Sequence, residues 1–368
     1  MGMKTIKYLS SDWRVLSKFF PKGWRVKGKE LDLLHRRRNI KSTSVLLRIL
    51  MIHLSEGCSL RETATRAKEG GFANVSAVAL QKKLNKNLSE WFRWMSIEML
   101  KQKGIDLTPP AWLKGYRVKS VDASVITEPG STGTDWRLHY SLDMYNLQCD
   151  QFRITRPEVG ESFLNYKVSK GDLFIGDRAY GRLKGMHYVS GNGGDYVVRL
   201  KSKAFTLYNE DGKKFSMIEE FSKIKMGQIR EWEVYSQSSC STKQPIRLCV
   251  IRKSKLEANK AIKRAKQNAK KKKRTINPET LELHKYIIIA TSLPKEIEAR
   301  LIIELYRFRW QVEISFKRLK SIIGLGHLPK KNEITSCAWL HGKMFVALLA
   351  QAIVTEGRTF SPWGYRLN

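Results

Sequence analysis

The spacing of apolar residues predicts a helical region over the first hundred positions. Helices are expected over residues 44–54, 59–68, 76–84 and 91–100, where apolar side chains recur every three or four residues. Gly57 is a stop signal after the first of them, and Ser59 with Glu62 forms a capping box that opens the second. Pro109 and Pro110 interrupt the helical pattern, so a domain boundary is predicted there.

Two of these helices have the layout of a helix-turn-helix module. Residues 59–68 and 76–84 are separated by Gly70 and Gly71, and the second helix carries Lys82 among its basic residues. Any pair of short packed helices gives the same pattern. A role in reading DNA and a plain packing role therefore both stay open.

Beyond Trp112 the apolar pattern alternates, which is typical of strands. The predicted strands are residues 116–125, 136–145, 151–155, 172–177, 196–200, 205–208, 227–235, 246–251 and 286–290. The first three form an antiparallel meander, and those between 203 and 290 form a smaller β-rich unit. A short helix is expected over residues 161–168, and one long helix from Pro294 to about Ile323.

The composition indicates a folded protein of two or three domains. Hydrophobic residues make up 42% of the 368 positions and aromatic residues 10%, which is enough for a sizeable core. The five cysteines are odd in number and scattered, so a reducing compartment is expected. No signal peptide is recognisable, and the apolar stretch around residues 344–354 is too short to span a bilayer. A cytoplasmic protein is predicted.

The charge indicates a polyanionic partner. Lys and Arg number 68 against 34 Asp and Glu, a formal net charge of +34, and nucleic acid is the commonest partner of such a chain. An anionic membrane surface is the competing interpretation. Residues 252–274 contain twelve Lys or Arg and only Glu257 as counter-charge. That segment is either a solvated, partly helical or flexible loop or a phosphate-binding arm.

Three acidic residues occupy unusual positions. Asp122 is inside the first predicted strand, Asp177 ends the strand DLFIGD, and Glu313 is within the long helix. A carboxylate in a buried strand is costly unless it is compensated, and divalent cations compensate carboxylates well. Together the three suggest a metal site for phosphoryl transfer.

The long helix places four polar side chains on one stripe. Tyr306, Arg309, Glu313 and Lys320 are offset by 3, 7 and 14 positions, so at about 100° per residue they fall within about 60° of one another. This face suits a metal ion beside a phosphodiester. An ordinary Arg–Glu pair at i, i+4 explains part of the pattern equally well.

The spacing Tyr-x2-Arg-x3-Glu-x6-Lys resembles the YREK signature of DDE transposases of the Insertion Sequence 4 family. VDASVI around Asp122 and GDLFIGDRAYG around Asp177 resemble the segments that carry the first two catalytic aspartates of that family. The likeness covers most of the chain.

The resemblance implies an α/β (α+β) fold with an RNase H-like catalytic core interrupted by a β-rich insertion and preceded by an all-helical N-terminal DNA-binding domain. The implied domains are residues 1–114 for the helical DNA-binding domain, 115–202 for the first part of the core, 203–290 for the insertion with its basic segment, and 291–368 for the second part of the core with the C-terminal helix.

The resemblance also implies the chemistry. Asp122, Asp177 and Glu313 would bind two Mg²⁺ (or Mn²⁺) ions for strand cleavage and transfer. DNA phosphates near the transposon end would be held by Tyr306, Arg309 and Lys320. The implied partners are double-stranded DNA, as terminal inverted repeats and as target, and a second copy of the chain in a synaptic dimer at the bacterial nucleoid. No membrane is involved.

Three further residues are candidates for contacts with DNA. Arg178 either lines the DNA path or packs. The resemblance implies an aromatic platform for a flipped base, since some family members use one, and Trp232 and Tyr286 are either that platform or core aromatics. Two other functions compete with transposition. A metal-dependent nuclease or resolvase would not need the helical N-terminal region, and a catalytically silent domesticated DNA-binding protein would not need to keep three carboxylates.

Overall fold

The helices predicted for the first hundred residues are confirmed. The structure is a computed structural model, which describes residues 12–35, 38–101, 109–201, 205–237, 243–329 and 331–359. The helices in this region are α1 (Trp24–Glu30), α2 (Thr43–Ser55), α3 (Leu60–Glu69), α4 (Ala77–Lys83) and α5 (Lys86–Leu100). The Ser59 hydroxyl accepts the Glu62 N–H at 3.1 Å, as the capping box predicts.

The later helices alternate with strands. They are α6 (Leu183–Gly191), α7 (Met217–Ser222), α8 (Lys255–Lys271), α9 (Pro278–Leu283), α10 (Ala299–Arg307), α11 (Gln311–Ser321) and α12 (Glu333–Thr359). The strands are β1 (Arg117–Ile126), β2 (Trp136–Asp143), β3 (Cys149–Thr155), β4 (Asp172–Gly176), β5 (Asp195–Arg199), β6 (Ile229–Gln237), β7 (Lys243–Arg252) and β8 (Tyr286–Thr291).

These eight strands form one mixed sheet, in the order β3-β2-β1-β4-β5-β8-β7-β6. The antiparallel meander of β1 to β3 is confirmed, and β4 and β5 continue from β1 in parallel. The smaller β-rich unit expected between residues 203 and 290 is not separate. Its strands extend the same sheet, because β8 pairs antiparallel with β5 and the side chains of β7 and β8 are buried on both faces.

Three local predictions were wrong. Residues 205–208 form no strand, and Tyr208 makes only isolated bridges to Lys214 and Tyr235. Over residues 161–168 only a 3₁₀ turn forms, Phe163–Asn165, because the backbone becomes extended at Tyr166. The helix expected up to Ile323 is interrupted by a second 3₁₀ turn, Phe308–Trp310.

The N-terminal helices share their core with the other end of the chain. Phe345 of α12 lies 5.7 Å from Phe20 and 5.6 Å from Phe92 between ring centroids, so α12 packs among the N-terminal helices. The expectation that this apolar stretch is too short to span a bilayer was wrong by length and composition, because the helical segment Glu333–Gly357 has 25 residues and contains an 18-residue window that is apolar enough to do so. Most of that window is buried inside the protein, as in the core helix of a globular fold.

Four cysteines lie in the described part of the chain, and all are free thiols: Cys58, Cys149, Cys249 and Cys337. Cys240 lies outside the described residues.

Candidate active site

The register of the sheet brings Asp122 and Asp177 side by side. β1 pairs in parallel with β4 from Arg117↔Asp172 to Ser120↔Ile175, and the same register carried two residues further aligns the two aspartates. Neighbouring strands are about 4.8 Å apart. Each carboxylate accepts a backbone N–H, Asp122 from Ala123 at 2.8 Å and Asp177 from Ala179 at 2.7 Å.

Asp122 is held in an unfavourable environment for a negative charge. Its side chain is 19% exposed. Burial raises the pKa of Asp122 to about 6, and the nearby Asp177 charge raises it further, while the Ala123 N–H and Arg309 oppose the shift. A desolvated carboxylate next to a second one is an environment that a cation would stabilise.

Glu313 reaches this pair through Arg309. The Arg309 guanidinium donates to a Glu313 carboxylate oxygen, and its Nη1 lies 3.9 Å from Oδ2 of Asp122. Glu313 is 52% exposed, whereas Arg309 is only 18% exposed. The 3₁₀ turn that carries Arg309 is attached to β1, because the Ser120 hydroxyl donates to the Arg309 carbonyl at 3.3 Å.

The donor set suits a hard divalent cation, but the three carboxylates are not gathered around one point. Within the described ranges, no three His, Cys, Asp or Glu side chains are close enough to hold a metal ion. The positive charge between Asp122 and Glu313 is that of Arg309. Carboxylate oxygens at the ends of buried strands fit Mg²⁺ or Mn²⁺ in chemistry, with Asp122 and Asp177 as the pair already adjacent.

Tyr306 and Lys320 differ in their relation to the carboxylates. Tyr306 is half-buried, and burial raises its pKa. The positive charges of Arg309 and Arg199 lower this pKa, and the negative charge of Asp177 raises it. Lys320 is exposed and lies about two turns beyond Glu313 on α11, with its aliphatic stem against Gly326.

The three further candidates for DNA contacts lie at different distances from Asp177. Arg178 follows Asp177 directly and lines a cleft that also contains Tyr286, at the start of β8. The Tyr286 ring is itself buried and lies 5.6 Å from Phe221 between centroids. Trp232 lies on β6, four strands from β4 and therefore about 19 Å away, and packs on Phe221. It is too far from Asp177 to contact a base held there.

Sequence reasoning missed a fourth carboxylate, that of Glu161. Burial raises its pKa, and the Asp177 charge raises it further. Glu161 is brought here by its neighbours, since the Tyr166 hydroxyl donates to the Asp122 carbonyl at 3.1 Å and Phe163 lies 5.2 Å from Tyr180 between ring centroids. No periodicity marks Glu161, so no local signal in the sequence could have found it.

Comparisons with known proteins identify the family of the chain. The family model described as "Transposase DDE domain" matches residues 155–349, a range that includes Asp177 and Glu313 but not Asp122. InsL, named for insertion sequence element IS186A of Escherichia coli (strain K12), is 29% identical over 335 residues, covering 89% of this chain and 90% of that protein. The transposase for insertion sequence element IS421 of Escherichia coli is 29% identical with the same coverage.

A more distant relative is the transposase for insertion sequence element IS231F of Bacillus thuringiensis subsp. israelensis. It is 28% identical over 247 residues, which cover 62% of this chain and 51% of that protein. Because the family model spans more than half of the 368 residues and includes two of the three candidate carboxylates, the chain belongs to the transposase DDE domain family.

Proposed function

We propose that this protein is a cut-and-paste DNA transposase that binds the terminal inverted repeats of an insertion sequence and catalyses metal-dependent strand cleavage and strand transfer. The observation that carries the proposal is the alignment of Asp122, within β1, with Asp177, which directly follows the parallel strand β4, together with the link from Glu313 to Asp122 through Arg309. Relatives named as transposases of insertion sequence elements support it.

Asp122, Asp177 and Glu313 are the proposed ligands of two Mg²⁺ or Mn²⁺ ions. Such ions would activate water or a DNA 3′-hydroxyl and stabilise the leaving oxygen. Arg309 acts as the counter-charge of Asp122 and Glu313 in the protein alone. If Glu313 were a metal ligand, its ion pair with Arg309 would be lost, and the guanidinium would be available to bind a DNA phosphate through its planar fork. Tyr306 and Lys320 would hold neighbouring phosphates.

We also propose a fold in which a catalytic core, an insertion and a DNA-binding region occupy different parts of the chain. An RNase H-like core would comprise residues 115–202 and 291–368, with β1 to β5 as its sheet and residues 203–290 as the insertion. This core, with YREK as the signature of α10 and α11, would place the chain in the Insertion Sequence 4 family. The helical region of residues 1–114 would bind DNA, and two copies would act as a synaptic dimer on nucleoid DNA in the bacterial cytoplasm.

The basic segment is proposed to be a phosphate-binding arm, and a solvated, partly helical surface segment is the alternative. Residues 255–271 form the helix α8, and its lysines are exposed. The segment leaves the sheet where β7 ends and β8 begins, since Arg252 pairs with Tyr286. Arg199, the last residue of β5, pairs with Ile289 of β8, so this is the edge at which Asp177 also lies. The basic segment is therefore joined to the sheet at the carboxylate edge.

The test is cleavage of the DNA that flanks the reading frame in its own genome, with Mn²⁺ present. Asp122→Asn should abolish cleavage and leave binding of the same DNA largely intact, because the amide keeps the shape of the side chain but loses the charge. The matched control is Asp195→Asn, at the opposite end of the sheet, where the carboxylate accepts the Ser292 hydroxyl at 2.7 Å; it should cleave normally.

Other outcomes would decide against the proposal. Cleavage by Asp122→Asn would show that the metal site is assigned wrongly. Cleavage without strand transfer by the unsubstituted protein would indicate a nuclease or resolvase. Binding without any cleavage would indicate a domesticated DNA-binding protein.

A further inference from the structure

Two buried tyrosines connect the backbone at Asp122 to the turn at Asp177. The Tyr166 hydroxyl lies 3.1 Å from the Asp122 carbonyl oxygen and 3.1 Å from the Tyr180 hydroxyl. Tyr180 belongs to the turn that starts at Asp177, because its N–H donates to the Asp177 carbonyl at 3.1 Å. We call Tyr166 and Tyr180 the tyrosine pair.

The number of protons gives these hydrogen bonds a direction. The Tyr166 hydroxyl has one proton, which it donates to the Asp122 carbonyl and, at 3.3 Å, shares with the Tyr140 carbonyl. The Tyr180 hydroxyl is therefore the donor to the Tyr166 oxygen. Burial raises the pKa of both phenols, so both keep their protons and remain donors.

The tyrosine pair lies just beyond the point where backbone pairing joins the two strands. The last pair of the parallel ladder between β1 and β4 is Ser120↔Ile175. Asp122 and Asp177 each lie two residues beyond that pair, and Asp177 is already in the turn after β4. Their separation therefore depends on groups outside the ladder, and the tyrosine pair supplies a hydrogen-bonded connection between them.

Close packing holds the rings of the tyrosine pair in place. Tyr166 is 3% exposed and Tyr180 is fully buried. The Tyr180 ring lies 5.2 Å from the Phe163 ring, and the Tyr166 ring lies 6.1 Å from the Phe174 ring, between centroids. Gly176 leaves room for Tyr180, because an added Cβ would lie 2.8 Å from the Tyr180 Cβ. Rings packed in this way keep their hydroxyls at fixed points.

We propose that Tyr166 and Tyr180 are positioning residues, which hold Asp122 and Asp177 at the separation that a divalent cation requires. Partners behind the metal ligands orient those ligands, and their loss typically weakens metal binding by about 10–100-fold. The inference rests on the proposed metal site. Both tyrosines act through the two aspartates and not on the DNA.

The experiment compares Tyr166→Phe and Tyr180→Phe, which each remove one hydroxyl and keep the ring. Binding of Mn²⁺ to the full chain is measured by electron paramagnetic resonance at a temperature at which every variant is folded. Tyr166→Phe should weaken binding by about 10-fold. Tyr180→Phe should weaken it by a smaller factor, because Asp122 keeps its direct hydrogen bond. The double variant should bind as weakly as Tyr166→Phe alone, since the Tyr180 hydroxyl acts through Tyr166.

Tyr145→Phe is the matched control. The Tyr145 hydroxyl also donates to a backbone carbonyl, that of Tyr116 at 3.2 Å, but it does so at the opposite end of β1. Its loss removes a comparable hydrogen bond and should leave the affinity for Mn²⁺ unchanged. A merely structural role of the tyrosine pair would give all three single variants the same affinity as the unsubstituted protein.

A measurement without metal separates this inference from the proposed function. Hydrogen exchange in EDTA reports on the amides of Ala123 and Ala179, which donate to the two candidate carboxylates. Both variants of the tyrosine pair should exchange these amides faster than the control does. If the unsubstituted protein binds no Mn²⁺, the proposed metal site is wrong, and the exchange rates decide whether the tyrosine pair fixes the aspartates.

Three results would overturn the inference. One is a protein that binds Mn²⁺ with the same affinity in the tyrosine-pair variants as in the control. The second is unchanged exchange of both amides in EDTA, whether or not Mn²⁺ binds. The third is a double variant whose loss of affinity is the product of the two single losses, because the hydroxyls would then act independently.

Discussion

Arg309 has two carboxylate partners, and their different exposures explain how the site could change on binding metal. Asp122 is mostly buried and Glu313 is half exposed. The buried partner has an incompletely satisfied negative charge, because Arg309 lies 3.9 Å away and Asp177 repels it. The exposed partner is free to move at little cost, since water solvates its carboxylate. Of the three proposed ligands, Glu313 is thus the one whose position is most easily adjusted.

The pKa of Asp122 leads to a prediction about stability. Because the folded state raises this pKa from 3.8 to about 6, the folded protein holds the proton longer than the unfolded chain. The free energy of unfolding should therefore fall as the pH rises from about 4 to about 6. In EDTA at pH 7.5, Asp122→Asn should be more stable than the unsubstituted protein, by up to about 3 kcal/mol.

Urea unfolding at pH 4 and pH 7.5 measures this difference. The two proteins should be nearly equal at pH 4, where Asp122 is protonated, and Asp195→Asn should show no comparable gain at pH 7.5. A variant that is equally stable or less stable at pH 7.5 would contradict the assigned environment of Asp122.

Two kinds of element position the candidate site. Asp122 lies within β1 and Asp177 directly follows β4, the neighbouring parallel strand. The 3₁₀ turn Phe308–Trp310 separates α10 from α11 and carries Arg309. The predicted stripe of Tyr306, Arg309 and Glu313 was derived for one continuous helix. The Arg309–Glu313 contact forms all the same, because i and i+4 remain on one face across the junction.

The basic helix α8 gives a prediction at the level of one element. Lys260, Lys263 and Lys270 are exposed, and their replacement by Gln preserves helix propensity while removing three charges. If each lysine binds a phosphate, the triple variant should reduce the salt slope of DNA binding by about 2.7. Anisotropy with a labelled duplex measures the slope.

The matched control removes Lys213, Lys223 and Arg230 in the same way. An α8 variant that behaves like this control would favour the solvated-surface interpretation of the segment. Circular dichroism of both variants should match that of the unsubstituted protein.

At the scale of the whole molecule, the N-terminal helices and the C-terminal helix depend on each other. Phe345 and Met344 of α12 are fully buried in the same core as Trp91 and Phe92 of α5. Gly342 lies so close to α2 that an added Cβ would be 2.7 Å from Leu54. A change in the N-terminal helices would therefore reach α12, which also packs near β3, since Phe152 lies 6.4 Å from His341 between ring centroids.

This shared core predicts that residues 1–114 do not fold stably alone. The isolated fragment should show helical circular dichroism without a cooperative thermal transition, because it lacks the apolar surface of α12. In the full chain, Phe345→Ala should cost about 3–5 kcal/mol, since it empties the space between Phe20 and Phe92. A cooperative transition of the fragment at the temperature of the full chain would show that the helical region is an independent domain.

The sequence by itself determined the types of most elements and the positions of the three candidate carboxylates. Apolar periodicity is a local property, so the helices α2 to α5 and most strands could be predicted from it. The same holds for Asp122 and Asp177, whose placement within or at the end of an apolar strand is visible along the chain. The Arg309–Glu313 pair could be predicted from spacing alone.

Only the tertiary structure decided which distant residues meet. Strand register aligns Asp122 with Asp177, and the pairing of β8 with β5 joins the expected β-rich unit to the sheet. Arg309 lies between Asp122 and Glu313, and Glu161 comes near Asp177, only because segments far apart in sequence pack together. Such contacts depend on side chains filling a shared core and on backbone pairing across the sheet, which no local pattern encodes.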